Sequence, residues 1–206
     1  MIKAIIFDFG SVIYKTDWDK MSREFIDKFG INIRLEELKN ERANSLYRLG
    51  SVGKAKIGEV IKELHPNAKV TKEMIDSYKK LYMKHKIINH ELLGLVKELK
   101  KRYLLFAFTD VNREHYESNF EMGLYKDFKE VYTSFNFNML KTQDGAFDKL
   151  KKELLKYSLL PEECVFIDDY LPNIGQAKKV GFHTIHYMEF PNIMKLKKDL
   201  MEMLKR

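Results

Sequence analysis

Four short stretches of this chain carry residues suited to chemistry on a charged ligand, and each follows an apolar run. They are Phe7-Asp8-Phe9-Gly10-Ser11-Val12, Phe108-Thr109-Asp110, Asn138-Met139-Leu140-Lys141-Thr142, and Phe166-Ile167-Asp168-Asp169-Tyr170-Leu171-Pro172-Asn173. A carboxylate at the end of an apolar run is costly to bury without a partner. Asp8 and the pair Asp168-Asp169 therefore point to a shared cation. If their strands are neighbours, three like charges converge and repel one another unless a cation sits between them. No His/Cys cluster offers softer ligands, so a hard, oxygen-liganded ion such as Mg²⁺ is expected. The same set suits a phosphate ester. Asp8 is the candidate nucleophile, and Mg²⁺ would shield the approaching anions. The Thr109 hydroxyl, the Lys141 ammonium and free backbone N–H groups after the first strand are candidates to hold phosphoryl oxygens. Asp110 either orients substrate or caps the following helix. The competing plain readings are a loop-capping Asp8, a helix-capping acidic pair and a solvated Lys141.

These residues need a frame. Residues 3–9, 103–109 and 164–168 are largely apolar runs, as expected of strands covered by helices on both faces, and 183–187 is read as a further strand. Val131 to Ser134 is a weaker strand candidate. Residues 91–101, 146–157 and 172–180 carry helical apolar spacing, and the last run stops at Gly181. Alternating strands and helices predict an α/β fold: a Rossmann-like parallel sheet with helices on both faces. Open sheets of this kind place ligands at the C-terminal ends of their strands, where the four stretches fall. Residues 17–88 have no convincing strand. Trp18, Met21, Phe25 and Phe29 follow helical spacing; Leu35 and Leu38 begin another such run, Ile57 to Leu64 a third, and Met74 to Tyr82 a fourth, with Gly50 and Gly53 as breaks. The expected organisation is a core of residues 1–16 and 89–206 with a helical cap, residues 17–88, inserted after the first strand.

A chain of 206 residues, 45% hydrophobic and 33% charged, is long enough for one such core with an insert. The formal charge of +7 comes from lysines interleaved with acids, the pattern of a solvated surface. No dense basic block with interleaved aromatics suggests a nucleic-acid partner, and no apolar run approaches the roughly 18 residues of a membrane span. Cys164 is the single cysteine, so no internal disulfide forms; a buried, inert thiol and a cytoplasmic setting are expected. His65, His85, His90, His115, His183 and His186 show no metal-ligand spacing.

The four ordered motifs and the inserted cap resemble the haloacid dehalogenase superfamily, most of whose members are phosphatases. The resemblance covers the whole chain. It implies Asp8 as nucleophile, the Gly10 backbone carbonyl as a metal ligand, Thr109 and Lys141 as phosphate ligands, and Asp168 and Asp169 as metal-binding acids. The run Asp110-Val111-Asn112-Arg113 and the spacing to Asn173 resemble the branch containing sugar-phosphate phosphatases. The implied partner is a small phosphorylated metabolite, met by a monomer or homodimer. Two positions depart from the pattern. The family's general acid, two residues after the nucleophile, is replaced by Gly10, with Asp17 and Asp19 as candidate substitutes unless they cap the first insert helix. The usual Lys-Pro of the third motif is Lys141-Thr142. The absent acid motivates an alternative, a binding or regulatory protein that keeps the pocket without turnover. A dehalogenase uses an Asp nucleophile without metal, and the pair Asp168-Asp169 argues against it.

Overall fold

The computed structural model describes residues 1–34 and 40–205. Its centre is a five-stranded parallel sheet in the order β5-β4-β1-β6-β7. The strands are β1 (Ala4–Phe7), β4 (Leu104–Thr109), β5 (Glu130–Thr133), β6 (Cys164–Asp168) and β7 (His183–His186). The continuous apolar runs have the expected cause: alternate residues enter different cores. Ile5 and Phe7 of β1, Leu105 and Ala107 of β4, and Val165 and Ile167 of β6 join one cluster. Ala4, Ile6, Phe106, Phe108, Cys164 and Phe166 join the other. Helix α5 (His90–Leu99) contributes Leu92 and Val96 to the first cluster, and α10 (Met194–Leu204) contributes Leu196 and Leu200. Helices α8 (Ala146–Leu155) and α9 (Leu171–Lys179) cover the opposite face with Phe147, Leu150, Leu154, Ile174 and Ala177. Cys164 is buried, its Sγ donates to the Leu160 carbonyl, and burial pushes the thiol up to about 12.

Residues 17–88 contain α1 (Trp18–Phe29), α2 (Glu41–Ser51), α3 (Ile57–Leu64) and α4 (Lys72–Lys84). The expected helix start at Leu35 and Leu38 lies outside the described residues. Side chains at helical spacing, Met21, Phe25, Val60, Ile61, Met74 and Tyr78, pack into the first cluster. Contrary to the reading of 17–88 as strand-free, Lys86–Ile88 forms a short strand, β3. It pairs antiparallel with β2 (Tyr14–Thr16) in the register Tyr14↔Ile88 and Thr16↔Lys86. Three residues are too few to display an alternation; the partner strand, distant in sequence, defines this one. The two chain crossings between sheet and helices thus lie side by side. Helices α6 (Arg113–Glu121) and α7 (Ser134–Phe137) follow β4 and β5, with Asn112 and Thr133 as their N-caps.

Candidate active site

The tips of β1, β4 and β6 stand side by side because Phe7 pairs with both Ala107 and Ile167. Asp8 continues β1, its N–H donating to the Ile167 carbonyl at 2.8 Å. Asp168 ends β6 and is fully buried. Lys141, only 2% exposed, lies between them: its Nζ donates to Asp8 Oδ1 and to Asp168 Oδ2, each at 2.6 Å. Asp8, Asp168 and Asp169 each bring a carboxylate oxygen within 4.8 Å of the others. The structure therefore brings together Asp8, Lys141, Asp168 and Asp169. Thr109, at the end of β4, is buried beside β5, where it pairs in register with Thr133.

Several second contacts hold this set. Asn173, in the first turn of α9, donates through Nδ2 to both carboxylate oxygens of Asp168, at 3.3 and 3.1 Å, and the Tyr170 N–H donates to Oδ1 at 2.7 Å. Asp110 does not cap the following helix; Asn112 does that. The Asp110 carboxylate accepts the Lys141 backbone N–H at 3.0 and 3.3 Å, which ties the second motif to the third. The Gln143 side chain accepts the Leu140 N–H, and Gln176 donates to the Thr142 carbonyl. These bonds fix the turn that a proline after Lys141 would otherwise stiffen.

The charges are unbalanced: three carboxylates face one ammonium. Burial raises Asp8 well above the usual carboxylate range; Lys141 opposes this, and the charges of Asp168 and Asp169 reinforce it. Burial and the Asp168 charge raise Asp169 against the pull of Lys141. Desolvation of its carboxyl likewise raises Asp110, again opposed by Lys141, although the residue as a whole is exposed at the cavity. For Lys141, burial works against its charge, but Asp168, Asp8 and Asp110 outweigh it and hold the ammonium protonated. Clustered hard oxygen donors with surplus negative charge fit a divalent ion of the Mg²⁺ type.

The alternatives open for Asp17 and Asp19 resolve away from the site. Asp17 accepts the Lys20 N–H as the N-cap of α1 and pairs with the Lys20 ammonium, and Asp19 pairs with Arg34. Asp17 caps the helix, as a carboxylate at a helix start finds free N–H groups there, and Asp19 is held in its ion pair. The backbone after β1 is also less open than expected. The N–H groups of Val12, Ile13 and Tyr14 donate to the Phe9 carbonyl, and that of Ser11 to the Tyr14 carbonyl. The tight loop, with Ser11 at φ 58°, consumes most of its own donors.

A cavity of about 360 Å³ opens beside these strand tips. Gly10, Ser11, Asp110 and Asn112 line it from the sheet side, and Trp18, Tyr47, Ser51 and Tyr82 from the inserted helices. His115 of α6 completes one wall. Its ring stacks on Tyr82 with centroids 3.7 Å apart, and its Nε2 meets the Tyr78 hydroxyl at 2.9 Å. Burial, helped by the nearby Lys86 charge, holds His115 well below the usual histidine range and therefore neutral. Sequence reasoning missed this wall. Histidine spacing gave no metal signal, and Trp18 and Tyr82 sat in core-like helical stripes.

No protein-family profile matches the chain. It is 25% identical over 193 residues to a D-ribitol-5-phosphate phosphatase of Bacteroides thetaiotaomicron, covering 89% of this chain and 91% of that one. Its fold matches a HAD-family enzyme of the same organism, solved as an aspartate-to-alanine variant in complex with magnesium and inorganic phosphate. The TM-score is 0.74 at 18% identity, over 95% of this chain and 99% of the other. It also matches a HAD-like hydrolase from Porphyromonas gingivalis with a TM-score of 0.74 at 21% identity, over 98% of both chains. The chain is HAD-like in fold.

Proposed function

We propose that this protein is a Mg²⁺-dependent phosphatase acting on a small phosphorylated metabolite, with sugar or polyol phosphates as the substrate class. The observation that carries the reading is the meeting of Asp8, Asp168 and Asp169 around the single ammonium of Lys141. The 25% identical phosphatase and the fold relative that holds magnesium and phosphate support it.

In this reading Asp8, Asp168, Asp169 and the Gly10 carbonyl would hold Mg²⁺. The bound ion supplies positive charge that screens the nucleophile from the phosphoryl oxygens. Asp8 attacks phosphorus and becomes an aspartyl phosphate, which water then hydrolyses. The Lys141 ammonium turns from bridging Asp8 and Asp168 to meeting phosphoryl charge, and the Thr109 hydroxyl donates to a second oxygen. Asp110 positions Lys141 by accepting its backbone N–H, and Asn173 orients Asp168. Residues 17–88 act as the cap. Their aromatic side chains Trp18, Tyr47 and Tyr82 line the cavity, and such amphipathic walls suit the carbon chain of a polyol or sugar.

The test is phosphate release by the purified protein from pentitol, pentose and hexose phosphates and from p-nitrophenyl phosphate, with Mg²⁺ and with EDTA. Mg²⁺-dependent hydrolysis of at least one sugar or polyol ester is expected. Silence on every ester, the activated aryl phosphate included, would overturn the reading in favour of a binding protein.

A further inference from the structure

An alkyl phosphate leaves as an alkoxide and needs a proton, yet the first motif offers none. Gly10 has no side chain, and a Cβ built there meets nothing within 4 Å, so the space is open. Asp17 and Asp19 are engaged at α1. Among the described residues that line the cavity bordered by Gly10, one carries a carboxyl, Asp110. The other lining groups are poorer donors. Tyr14 and Tyr82 share a hydroxyl–hydroxyl bond at 2.8 Å, His115 is bonded to Tyr78, and Lys15 stands over the Phe190 ring. The sheet register brings Asp110 to the right place. Phe7 pairs with Ala107, so three residues further on Gly10 and Asp110 leave adjacent strand tips together. The Lys141 N–H fixes the Asp110 carboxyl, while its residue stays open to the cavity rather than buried.

We propose that Asp110 is the general acid and base of the reaction, filling the role that Gly10 leaves empty. The assignment rests on the phosphatase reading. As the Asp8 carboxylate forms its bond to phosphorus, the bond to the leaving oxygen breaks, and that oxygen takes the proton of the Asp110 carboxyl. The Asp110 carboxylate then accepts a proton from water as the water oxygen bonds to phosphorus and the Asp8–phosphorus bond breaks. Inorganic phosphate, a free Asp8 carboxylate and a protonated Asp110 result, so protons and bonds balance over the cycle.

A general acid matters in proportion to how poor the leaving group is, whereas a positioning residue matters for all substrates alike. The test compares Asp110→Asn with wild type on a pentitol phosphate and on p-nitrophenyl phosphate, both with Mg²⁺. The amide oxygen of the substituted side chain still accepts the Lys141 N–H, so the turn is kept. The expected loss in kcat is about a hundredfold or more on the alkyl ester, with a far smaller loss on the aryl ester. Adding Gly10→Asp to the Asp110→Asn variant is expected to restore part of the alkyl activity, since the space at Gly10 is open. Equal loss on both esters, no loss on either, or no rescue overturns the assignment and leaves the phosphatase reading standing. Wild-type protein inactive on both esters overturns that reading, and this one with it.

Discussion

Lys141→Met isolates the charge balance of the site. The Lys141 side chain is 2% exposed, and its two partners, Asp8 and Asp168, are 9% and 0% exposed, so water screens neither contact. Methionine keeps much of the length and removes the charge. Removing one partner of a buried ion pair costs about 3–5 kcal/mol because the remaining charges stay buried. In a chain of this size each kcal/mol moves Tm by about 2–4 °C, so Tm in EDTA falls by roughly 6–20 °C. Mg²⁺ acts in the other direction. Without the ammonium, no cation competes with the ion for the oxygens of Asp8 and Asp168, and binding tightens by at least about tenfold, ~1.4 kcal/mol. Saturation at about a hundred times Kd returns about 2.7 kcal/mol of stability. The variant therefore melts lower than wild type in EDTA, gains more from Mg²⁺ and still loses turnover. Differential scanning calorimetry with and without Mg²⁺, together with calorimetric Mg²⁺ titration, measures all of this. An unchanged Tm in EDTA together with weaker Mg²⁺ binding would refute the bridging role of Lys141.

Other outcomes follow from the same charges. Asp8 and Asp169 hold protons more tightly when folded than when unfolded, so metal-free stability declines as pH rises through their raised values. Mg²⁺ needs them deprotonated; the Tm gain from Mg²⁺ is thus larger at about pH 8 than at about pH 5.5, and a gain independent of pH would contradict this. Lys86 sits 3.5 Å from the Tyr82 ring centroid and 4.8 Å from that of Tyr14, and its buried Nζ has no hydrogen-bond acceptor among the described residues. Burial lowers it to about 7, so the folded state binds fewer protons than the unfolded one from there up to the usual lysine value of 10.5, and stability rises across that window. Lys86→Met is expected to be more stable than wild type at about pH 6 by about 1–2 kcal/mol, the burial penalty less the cation–π attraction. That lead shrinks as pH rises to about 9; chemical denaturation at the two pH values checks it, and a constant difference would count against it.

The parts of the molecule legible in the sequence share a physical cause. Strands β1, β4 and β6 are buried along almost their whole length, so their composition marks them without help from neighbours. Asp8 and Asp168 stand out because carboxylates rarely follow such runs. Features that depend on a distant partner were hidden. Lys86–Ile88 is a strand only through Tyr14–Thr16, and α6, with Glu114, Glu117, Ser118 and Asn119, is too polar to display an apolar stripe. The cavity wall joins Trp18, Tyr47, Tyr82 and His115 from four separate helices, and Tyr82 at 2% exposure belongs to the core and the cavity at once. Lys141 was legible as a phosphate-ligand candidate, but its bridge between two buried carboxylates joins segments far apart in sequence and was not. Capping by Asp17 was legible from its place before the first helix, whereas the Asp19–Arg34 pair depends on a residue beyond that helix.

The most direct test of the account is whether phosphorus becomes bonded to Asp8. Wild-type protein mixed with Mg²⁺ and a hydrolysed phosphate ester, quenched in acid within one turnover and digested, should yield an N-terminal peptide carrying one phosphoryl group on Asp8. The adduct should be missing in EDTA and in Asp8→Asn, which should keep the wild-type fold by circular dichroism. Steady turnover with no phosphoryl group on Asp8, or undiminished turnover by Asp8→Asn, would contradict the account.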